Sequence, residues 1–279
     1  MNTGTAPDAV RRHRLKRWVS ADAISLVNSM LRRGVVYRGN YATWEDAASH
    51  AAGYDSQAIL ERVVAATTAV RDGKAMAERD GIVLAKLDFP FPLIAALMRS
   101  AALNGGNLSV LDFGGGLGST YYQCHPWIKG LKSCRWSVVE QGHFVQAGRE
   151  NFEDGSLCFR NTIADAVDGM RPNVALLSGV LQYIPNAAGI LAELVSTGIE
   201  TIVIDRTPFV DDDATIISVQ HVPSRIVKSS YPTYLFSQSN LLGDAWQNYR
   251  ILVEFEAIDR TIFSLGRRIV FKGMILVKR

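Results

Sequence analysis

The stretch that decides the fold is "LDFGGGLGSTYYQ", Leu111 to Gln123, where an acid, four glycines and a small hydroxyl residue follow directly on a short apolar run. An apolar run that ends in glycines is typical of a buried strand that turns into a helix. Backbone N–H groups point outward at such a turn, and glycines let a ligand approach them. The stretch therefore predicts a ligand-binding turn in an α/β protein.

The rest of the chain after this stretch alternates between short apolar runs and helical patterns, which is typical of a mostly parallel sheet flanked by helices. Two long runs at the end, "ILVEFEAI" and "RRIVFKGMILVKR", are joined by a turn around residues 264–266 and predict an antiparallel hairpin at the sheet edge. We therefore expect a Rossmann-like α/β fold with a seven-stranded, mostly parallel sheet. The apolar runs before that hairpin are 108–113, 136–140, 157–159, 174–177 and 201–205.

The first third of the chain has a helical pattern instead. Residues 56–72, "SQAILERVVAATTAVRD", place apolar side chains at helical spacing, and "PLIAALMRSAAL" is preceded by a proline and followed by an Asn-Gly-Gly stop. We expect residues 1–104 to form a basic N-terminal segment with a helical cap, and residues 105–279 to form the ligand-binding domain. Tyr41 and Trp44 precede these helices and can close over a ligand or simply dock the cap.

Composition places the chain among ordinary globular proteins, because 48% of its 279 residues are hydrophobic and 20% are charged. It has neither an apolar run of about 18 residues nor a signal-peptide pattern, so we expect a cytoplasmic protein. Residues 1–40 carry eight Lys/Arg against two Asp. This cluster is a solvated terminus or a weak contact with an anionic membrane surface. The charge pattern does not predict nucleic-acid binding, and three cysteines without metal-site spacing predict reduced thiols and no metal.

The glycine spacing distinguishes between ligands. A nicotinamide fingerprint would read G-x-G-x-x-G. Gly114 and Gly116 match its first two glycines, but Ser119 stands at the position of the third. Asp112, two residues before the first glycine, would repel a pyrophosphate and suits a cationic amine. S-adenosylmethionine carries an ammonium, a sulfonium, a ribose diol and an adenine.

We therefore predict S-adenosylmethionine as the cofactor. Asp112 would hold the ammonium, directly or through water. Glu140, at the end of the next strand, would accept both ribose hydroxyls, because a carboxylate presents two acceptors to a vicinal diol. Asn161 follows the third strand and would accept from the adenine amine. The full set of predicted cofactor-binding residues is Asp112, Gly114, Gly115, Gly116, Gly118, Glu140, Gln141, Asn161, Ser178 and Gly179.

Several stretches together also carry a resemblance. They are "RGNYATWEDA", "GYDSQAIL", "LDFGGGLGSTYYQ", "WSVVEQGHFVQAG", "LLSGVLQYIP", "IDRTPF", "VQHVPSRI" and "SSYPTYLFS". From about Tyr37 to the end, the chain resembles an uncharacterised family of class I S-adenosylmethionine-dependent methyltransferases that is associated with surface-polysaccharide biosynthesis. The resemblance implies a class I methyltransferase fold and a small-molecule or glycan-precursor acceptor.

The acceptor side follows the fourth and fifth predicted strands. His221 is the preferred general base because an imidazole titrates near neutral pH, although a lone histidine is often structural. Tyr183 would face the transferred methyl or pack as an ordinary aromatic. Arg206 would hold an anionic acceptor or form an ion pair. The predicted catalytic residues are His221, Tyr183 and Asp205, and the predicted substrate-binding residues are Arg206, Tyr231, Tyr234 and Tyr41.

These residues predict methyl transfer to an oxygen or nitrogen atom. Two other classes stay open at this point. One is a non-catalytic protein that binds S-adenosylmethionine and regulates or scaffolds a partner enzyme. The other is a nicotinamide-dependent oxidoreductase, which the glycine spacing disfavours.

Overall fold

The computed structural model describes residues 35–53, 56–84, 89–223, 229–243, 246–259 and 261–279, and every structural statement below concerns this part of the chain. The basic cluster of residues 11–17 and its predicted membrane contact lie outside it. The strands are β1 Val36–Tyr41, β2 Ala77–Arg79, β3 Ile82–Leu84, β4 Asn107–Phe113, β5 Ser133–Val139, β6 Leu157–Arg160, β7 Val174–Ser178, β8 Thr201–Val210, β9 Ile216–Val222, β10 Ser229–Ser237, β11 Tyr249–Glu256, β12 Ile262–Ser264 and β13 Arg267–Lys278. The helices are α1 Trp44–Ser49, α2 Ser56–Arg71, α3 Phe91–Leu103, α4 Ser119–Ile128, α5 Gly142–Asn151, α6 Ile163–Met170, α7 Ala187–Ser196 and α8 Gln238–Leu241, with a single 3-10 turn at Leu181–Tyr183.

Five parallel strands form the centre of the sheet in the order β6-β5-β4-β7-β8. The C-terminal strand β13 pairs antiparallel with β8, and β11 pairs antiparallel with β13 on the outer side. The chain therefore forms the outer strand β11 first, and β13 then lies between β11 and β8. This arrangement confirms the predicted Rossmann-like sheet with seven strands and an antiparallel hairpin at its edge.

Three further strands extend the sheet in a way that the sequence analysis did not predict. The second half of β8 pairs in parallel with β10 at Phe236 and Ser237. β9 pairs antiparallel with β10, and β1 pairs antiparallel with β9. Along one edge, β8 thus has β7 as its neighbour up to Asp205 and β10 as its neighbour from Phe209 onward. We call the region past the end of β7, between β7 and β10, the gap.

The core has one layer on each face of the central sheet, because successive residues of a strand point to opposite sides. Val110 and Trp136 pack with helices α2 and α3 on one face, while Leu111 and Leu177 pack with α6 and α7 on the other. Both faces are covered, which explains the continuous apolar runs of these strands. Helices α2 and α3 bury Leu60, Leu93 and Leu97 in the same layer as the sheet. The division at residue 104 stays a prediction.

Candidate functional site

Polar residues and glycines from five parallel strands meet at the carboxyl ends of those strands. The carboxyl ends of parallel strands lie side by side, and ligands of open α/β sheets bind there. The glycine loop, residues 114–118, follows β4, and the remaining predicted residues follow the neighbouring strands. Among the residues predicted from the sequence, those at the ends of β4, β5, β6 and β7 are Asp112, Glu140, Gln141, Asn161, Ser178 and Gly179. Asp205 and Arg206 lie within β8, where its pairing with β7 ends.

The glycine loop has a backbone conformation that side chains disfavour. Gly114, Gly116 and Gly118 have φ values of 71°, 60° and 92°. A Cβ on Gly114 would lie 2.2 Å from Cγ2 of Val180, so this position admits no side chain. A Cβ on Gly116 would meet no atom within 4 Å. The loop is therefore tightly packed at its start and open at Gly116.

Asp112 lies beneath this loop and is 1% exposed. A Cβ on Gly115 would lie 2.5 Å from its Oδ2 atom, and the indole Nε1 of Trp136 donates to the same oxygen at 3.0 Å. Burial raises the pKa of Asp112 to about 7, against the effect of the Trp136 hydrogen bond, and the nearby Glu140 raises it further. Asp112 forms no ion pair within the described part of the chain. The loop thus covers a carboxyl group whose charge is not compensated.

Glu140 follows β5 and contacts the open part of the loop. Its carboxylate accepts the backbone N–H of Gln141 at 2.7 Å and the backbone N–H of Gly116. Burial raises the pKa of Glu140, and these two N–H groups oppose the rise. Asn161, after β6, is exposed. Glu140 therefore lies between the glycine loop and the next strand, as a ligand that spans both would require.

Asp205 is the buried acid on the other side of the loop, and it is 3% exposed. Its Oδ1 accepts the backbone N–H of Arg206 at 2.8 Å, and its carbonyl oxygen accepts the N–H of Gly179 at 2.9 Å. Ser178 Oγ lies 3.5 Å from its Oδ2. Burial raises the pKa of Asp205 to about 6, although the charge and the N–H of Arg206 oppose the rise.

Arg206 has a left-handed backbone, with a φ of 54°, where the neighbour of β8 changes from β7 to β10. Its guanidinium binds Asp259 through two contacts, Nε to Oδ2 at 2.8 Å and Nη2 to Oδ1 at 3.3 Å. Arg79 Nη1 lies 3.9 Å from Asp259 Oδ1. The structure therefore shows the ion-pair alternative for Arg206. Sequence analysis missed Asp259 and Arg79, which no local motif connects to Arg206.

A hydrogen-bonded chain of side chains faces the same gap. Tyr183 Oη donates to Gln220 Oε1 at 3.1 Å, and Gln220 Nε2 donates to Tyr231 Oη at 3.1 Å. Gln182 is 3% exposed and donates to the carbonyl of Gly179 at 3.1 Å, while its Oε1 has no hydrogen-bond partner in the described part of the chain. The structure brings Tyr183 and Tyr231 together, with ring centroids 5.2 Å apart, and Gln220 is an additional member of the chain.

His221 lies on the opposite face of β9 from Gln220, because neighbouring residues of a strand point to opposite sides. Its register partner on β10 is Ser230, whereas the partner of Gln220 is Tyr231. Burial and the charge of Arg38 lower the pKa of His221. The structure does not bring the predicted general base together with Tyr183, so His221 is not part of the site we propose below.

Tyr41 and Tyr234 also lie away from the Tyr183 chain. The ring of Tyr41 packs against His50 at a centroid distance of 5.0 Å. Tyr234 donates to the carbonyl of Pro185 at 2.8 Å, and its ring packs against Trp44 at 4.8 Å. These aromatic residues attach α1 and the loop after β7 to the extended sheet.

Three further observations concern thiols, metal ions and membrane helices. Burial raises the pKa of the Cys124 thiol to about 12, so this buried cysteine is protonated at neutral pH. Within the described ranges no group of three His, Cys, Asp or Glu residues is placed to hold a metal ion. The helices of those ranges include none that is long and apolar enough to cross a membrane.

No family model matches the chain, and no curated protein matches it. Solved structures with a similar fold include the magnesium protoporphyrin IX methyltransferase of Synechocystis with bound SAM, at 15% identity and a TM-score of 0.43, covering 68% of this chain and 77% of that one. The 1,6-didemethyltoxoflavin-N1-methyltransferase of Burkholderia thailandensis has 16% identity and a TM-score of 0.39, with 86% and 92% covered. An amino pentose methyltransferase of Micromonospora echinaspora has 10% identity and a TM-score of 0.40, with 67% and 91% covered.

Proposed function

We propose that the protein is an S-adenosylmethionine-dependent methyltransferase that acts on an oxygen or nitrogen atom of a small molecule or glycan precursor. One observation carries the proposal. An open glycine loop lies between the carboxyl groups of Asp112 and Glu140, and neither forms an ion pair in the described part of the chain. A ligand with an ammonium and a vicinal diol would supply a positive charge near Asp112 and further hydrogen-bond donors to Glu140.

The residues at the loop fit this cofactor. Gly116 leaves space for a ligand against the backbone, and Glu140 would accept the ribose hydroxyls from beside it. Asp112 lies under Gly115, so we propose that its charge acts on the ammonium through water or across the loop rather than by a direct contact. Gln141 and Asn161 would flank the adenine. Gly114 and Gly118 shape the loop, and Ser178 and Gly179 would line the opposite wall.

The proposed acceptor site is the gap beside β8. S-adenosylmethionine would supply an electrophilic methyl group, and the chain would hold the acceptor in line with it. We propose that Asp205 takes the proton from the acceptor, because a carboxyl group with a pKa of about 6 is largely ionised at neutral pH yet still basic. Tyr183 and Tyr231, linked through Gln220, would orient the acceptor. Arg206, held by Asp259, would limit the rise of the pKa of Asp205.

The acceptor class has two sources of support. The gap is lined by amide, phenol and carboxyl groups, which suit a polar acceptor with hydroxyl or amine groups. The glycan precursor in particular rests on the family resemblance. A nicotinamide cofactor fits less well, because Asp112 beneath the loop would repel its pyrophosphate.

The proposal is tested by incubating the full chain with S-adenosylmethionine that carries a labelled methyl group and with a panel of sugar, sugar-nucleotide and amine acceptors. We expect labelled product, with kcat/KM falling about tenfold per pH unit below about 6 as Asp205 becomes protonated. Asp205→Asn should lower kcat by about 10²- to 10⁴-fold and leave the affinity for S-adenosylhomocysteine within about twofold.

Asp213→Asn, an exposed position after β8, is the matched control and should behave as the wild type. An Asp205→Asn variant with unchanged rate and pH profile would show that another group takes the proton. Cofactor binding without transfer to any acceptor would favour a non-catalytic cofactor-binding protein.

A further inference from the structure

A buried glutamate outside the predicted set contacts the end of the glycine loop. Strands β2 and β3 form a hairpin whose turn, Asp80 and Gly81, is left-handed, with φ values of 52° and 74°. Glu78, in β2, is 7% exposed. Its carboxylate accepts the hydroxyl of Ser119 and, at 3.1 Å, the backbone N–H of Gly81. Ser119 directly follows the glycine loop, so the hairpin places this acid at the loop.

Glu78 is a buried acid that lies near the charge of Arg79 but forms no ion pair with it. Burial raises the pKa of Glu78, and the hydrogen bonds from Ser119 and Gly81 oppose the rise. No lysine, arginine or histidine of the described ranges forms an ion pair with it, and the adjacent Arg79 is directed to Asp259. A buried carboxylate without a cation costs folding free energy, so a compensating role in ligand binding is a reasonable expectation.

Contacts on two sides, near β4 and near β8, hold the β2–β3 hairpin in place. On the β4 side, Glu78 binds Ser119. On the β8 side, Arg79 approaches Asp259, which binds Arg206. The Arg206 guanidinium in turn lies against Gly179, where a Cβ would be 3.3 Å from its Nη1 atom. Glu78 is thereby fixed beside the loop.

We infer that Glu78 is a cofactor-binding residue whose carboxylate receives the α-ammonium of S-adenosylmethionine. The inference rests on the proposed function. Asp112 and Glu78 contact the same loop at different places, Asp112 at Gly115 from beneath and Glu78 at Ser119. Asp112 is the more enclosed of the two, since it is 1% exposed and Glu78 is 7% exposed. Glu78 is therefore the better partner for a direct charged hydrogen bond.

The test compares two ligands that differ in the amino-acid portion. S-adenosylhomocysteine carries the ammonium, and 5′-methylthioadenosine lacks it. Their affinities are measured by calorimetry for the full-length wild type, for Glu78→Gln and for Asp80→Asn. We expect Glu78→Gln to lower the affinity for S-adenosylhomocysteine by about 10- to 100-fold and to change the affinity for 5′-methylthioadenosine by no more than about twofold. Asp80→Asn removes an exposed negative charge that acts on Glu78 from the same hairpin, and it suits the left-handed turn. It should weaken the binding of S-adenosylhomocysteine by no more than about threefold and leave that of 5′-methylthioadenosine unchanged.

Each other outcome overturns the inference in a recognisable way. An equal loss for both ligands would mean that Glu78 only supports Ser119 and the start of α4. An unchanged affinity for S-adenosylhomocysteine in Glu78→Gln would place the ammonium elsewhere. A wild type that binds neither ligand would reject the proposed function itself.

Discussion

At the scale of single residues, the candidate site is marked by buried acids that form no ion pair within the described part of the chain. Asp112, Asp205 and Glu78 are each less than a tenth exposed, and burial raises the pKa of all three. Stability alone would favour neutral side chains at these positions. Retaining the carboxyl groups is understandable if they serve a cationic ligand and a proton transfer.

Asp112→Asn should stabilise the ligand-free protein at pH 8. A carboxyl group whose pKa is raised by folding binds more protons in the native state, so its contribution to stability falls as pH rises from about 4 to about 7. The asparagine removes this cost while its side-chain oxygen can still accept the Trp136 indole. We expect a gain on the order of 1–3 kcal/mol in the free energy of unfolding at pH 8, measured by urea denaturation.

The same variant should lose the stabilisation that S-adenosylhomocysteine gives the wild type. Glu150→Gln, on the exposed side of α5, is the control and should change neither quantity. If Asp112→Asn were less stable than the wild type at pH 8, the carboxylate would be a structural requirement rather than an unbalanced charge.

The sequence identified site residues only where a local motif contains them. Asp112 precedes the glycines by two positions, and Glu140 ends the next apolar run, so both could be predicted. Glu78, Gln220 and Asp259 could not, because each reaches the site through pairings between distant parts of the chain. His221 is a candidate general base because an imidazole titrates near neutral pH, but the side to which it points depends on the register of β9.

At the scale of elements, the glycine loop contains one glycine that packing requires, Gly114, and one that leaves space for a ligand, Gly116. Gly114→Ala should destabilise the protein by about 2–4 kcal/mol, because its Cβ would lie 2.2 Å from Val180 in a left-handed backbone. Gly116→Ala meets no atom and should cost only about 1 kcal/mol of stability. The methyl group would nevertheless occupy the space proposed for the cofactor, and we expect S-adenosylhomocysteine affinity to fall by at least about tenfold.

Thermal unfolding and calorimetry of the two variants measure these effects. Gly142→Ala is the control, since this glycine begins α5, has no left-handed φ and would meet no atom. Wild-type affinity in Gly116→Ala would mean that the ligand does not approach this part of the loop.

The elements that could be predicted are those with a regular apolar pattern. Helices α2 and α3 and the seven strands of the main sheet are in this group. Strands β9 and β10 are not, because Ser218, Gln220 and Thr233 are buried polar residues at positions where an apolar pattern was sought. Pro232 further weakens the strand pattern of β10. Part of this polar face lines the proposed acceptor gap, so polar residues that weaken the strand pattern are also among those proposed to orient the acceptor.

At the scale of the whole molecule, the site lies where the sheet divides. The parallel strands bring the glycine loop, Glu140 and Asp205 together at their carboxyl ends, and β8 changes its neighbour from β7 to β10 beside them. The helices of the first third and the sheet share one core layer, while β1 joins the extended sheet. The chain before residue 104 therefore contributes directly to the surroundings of the site through Glu78 and Arg79.

The central claim is that the glycine loop and the carboxyl ends of the parallel strands bind S-adenosylmethionine. It is tested most directly by isothermal titration of the full-length wild type with S-adenosylmethionine and, separately, with NAD. We predict saturable binding of one S-adenosylmethionine per chain and no heat above dilution with NAD. Binding of NAD with no binding of S-adenosylmethionine would contradict the account.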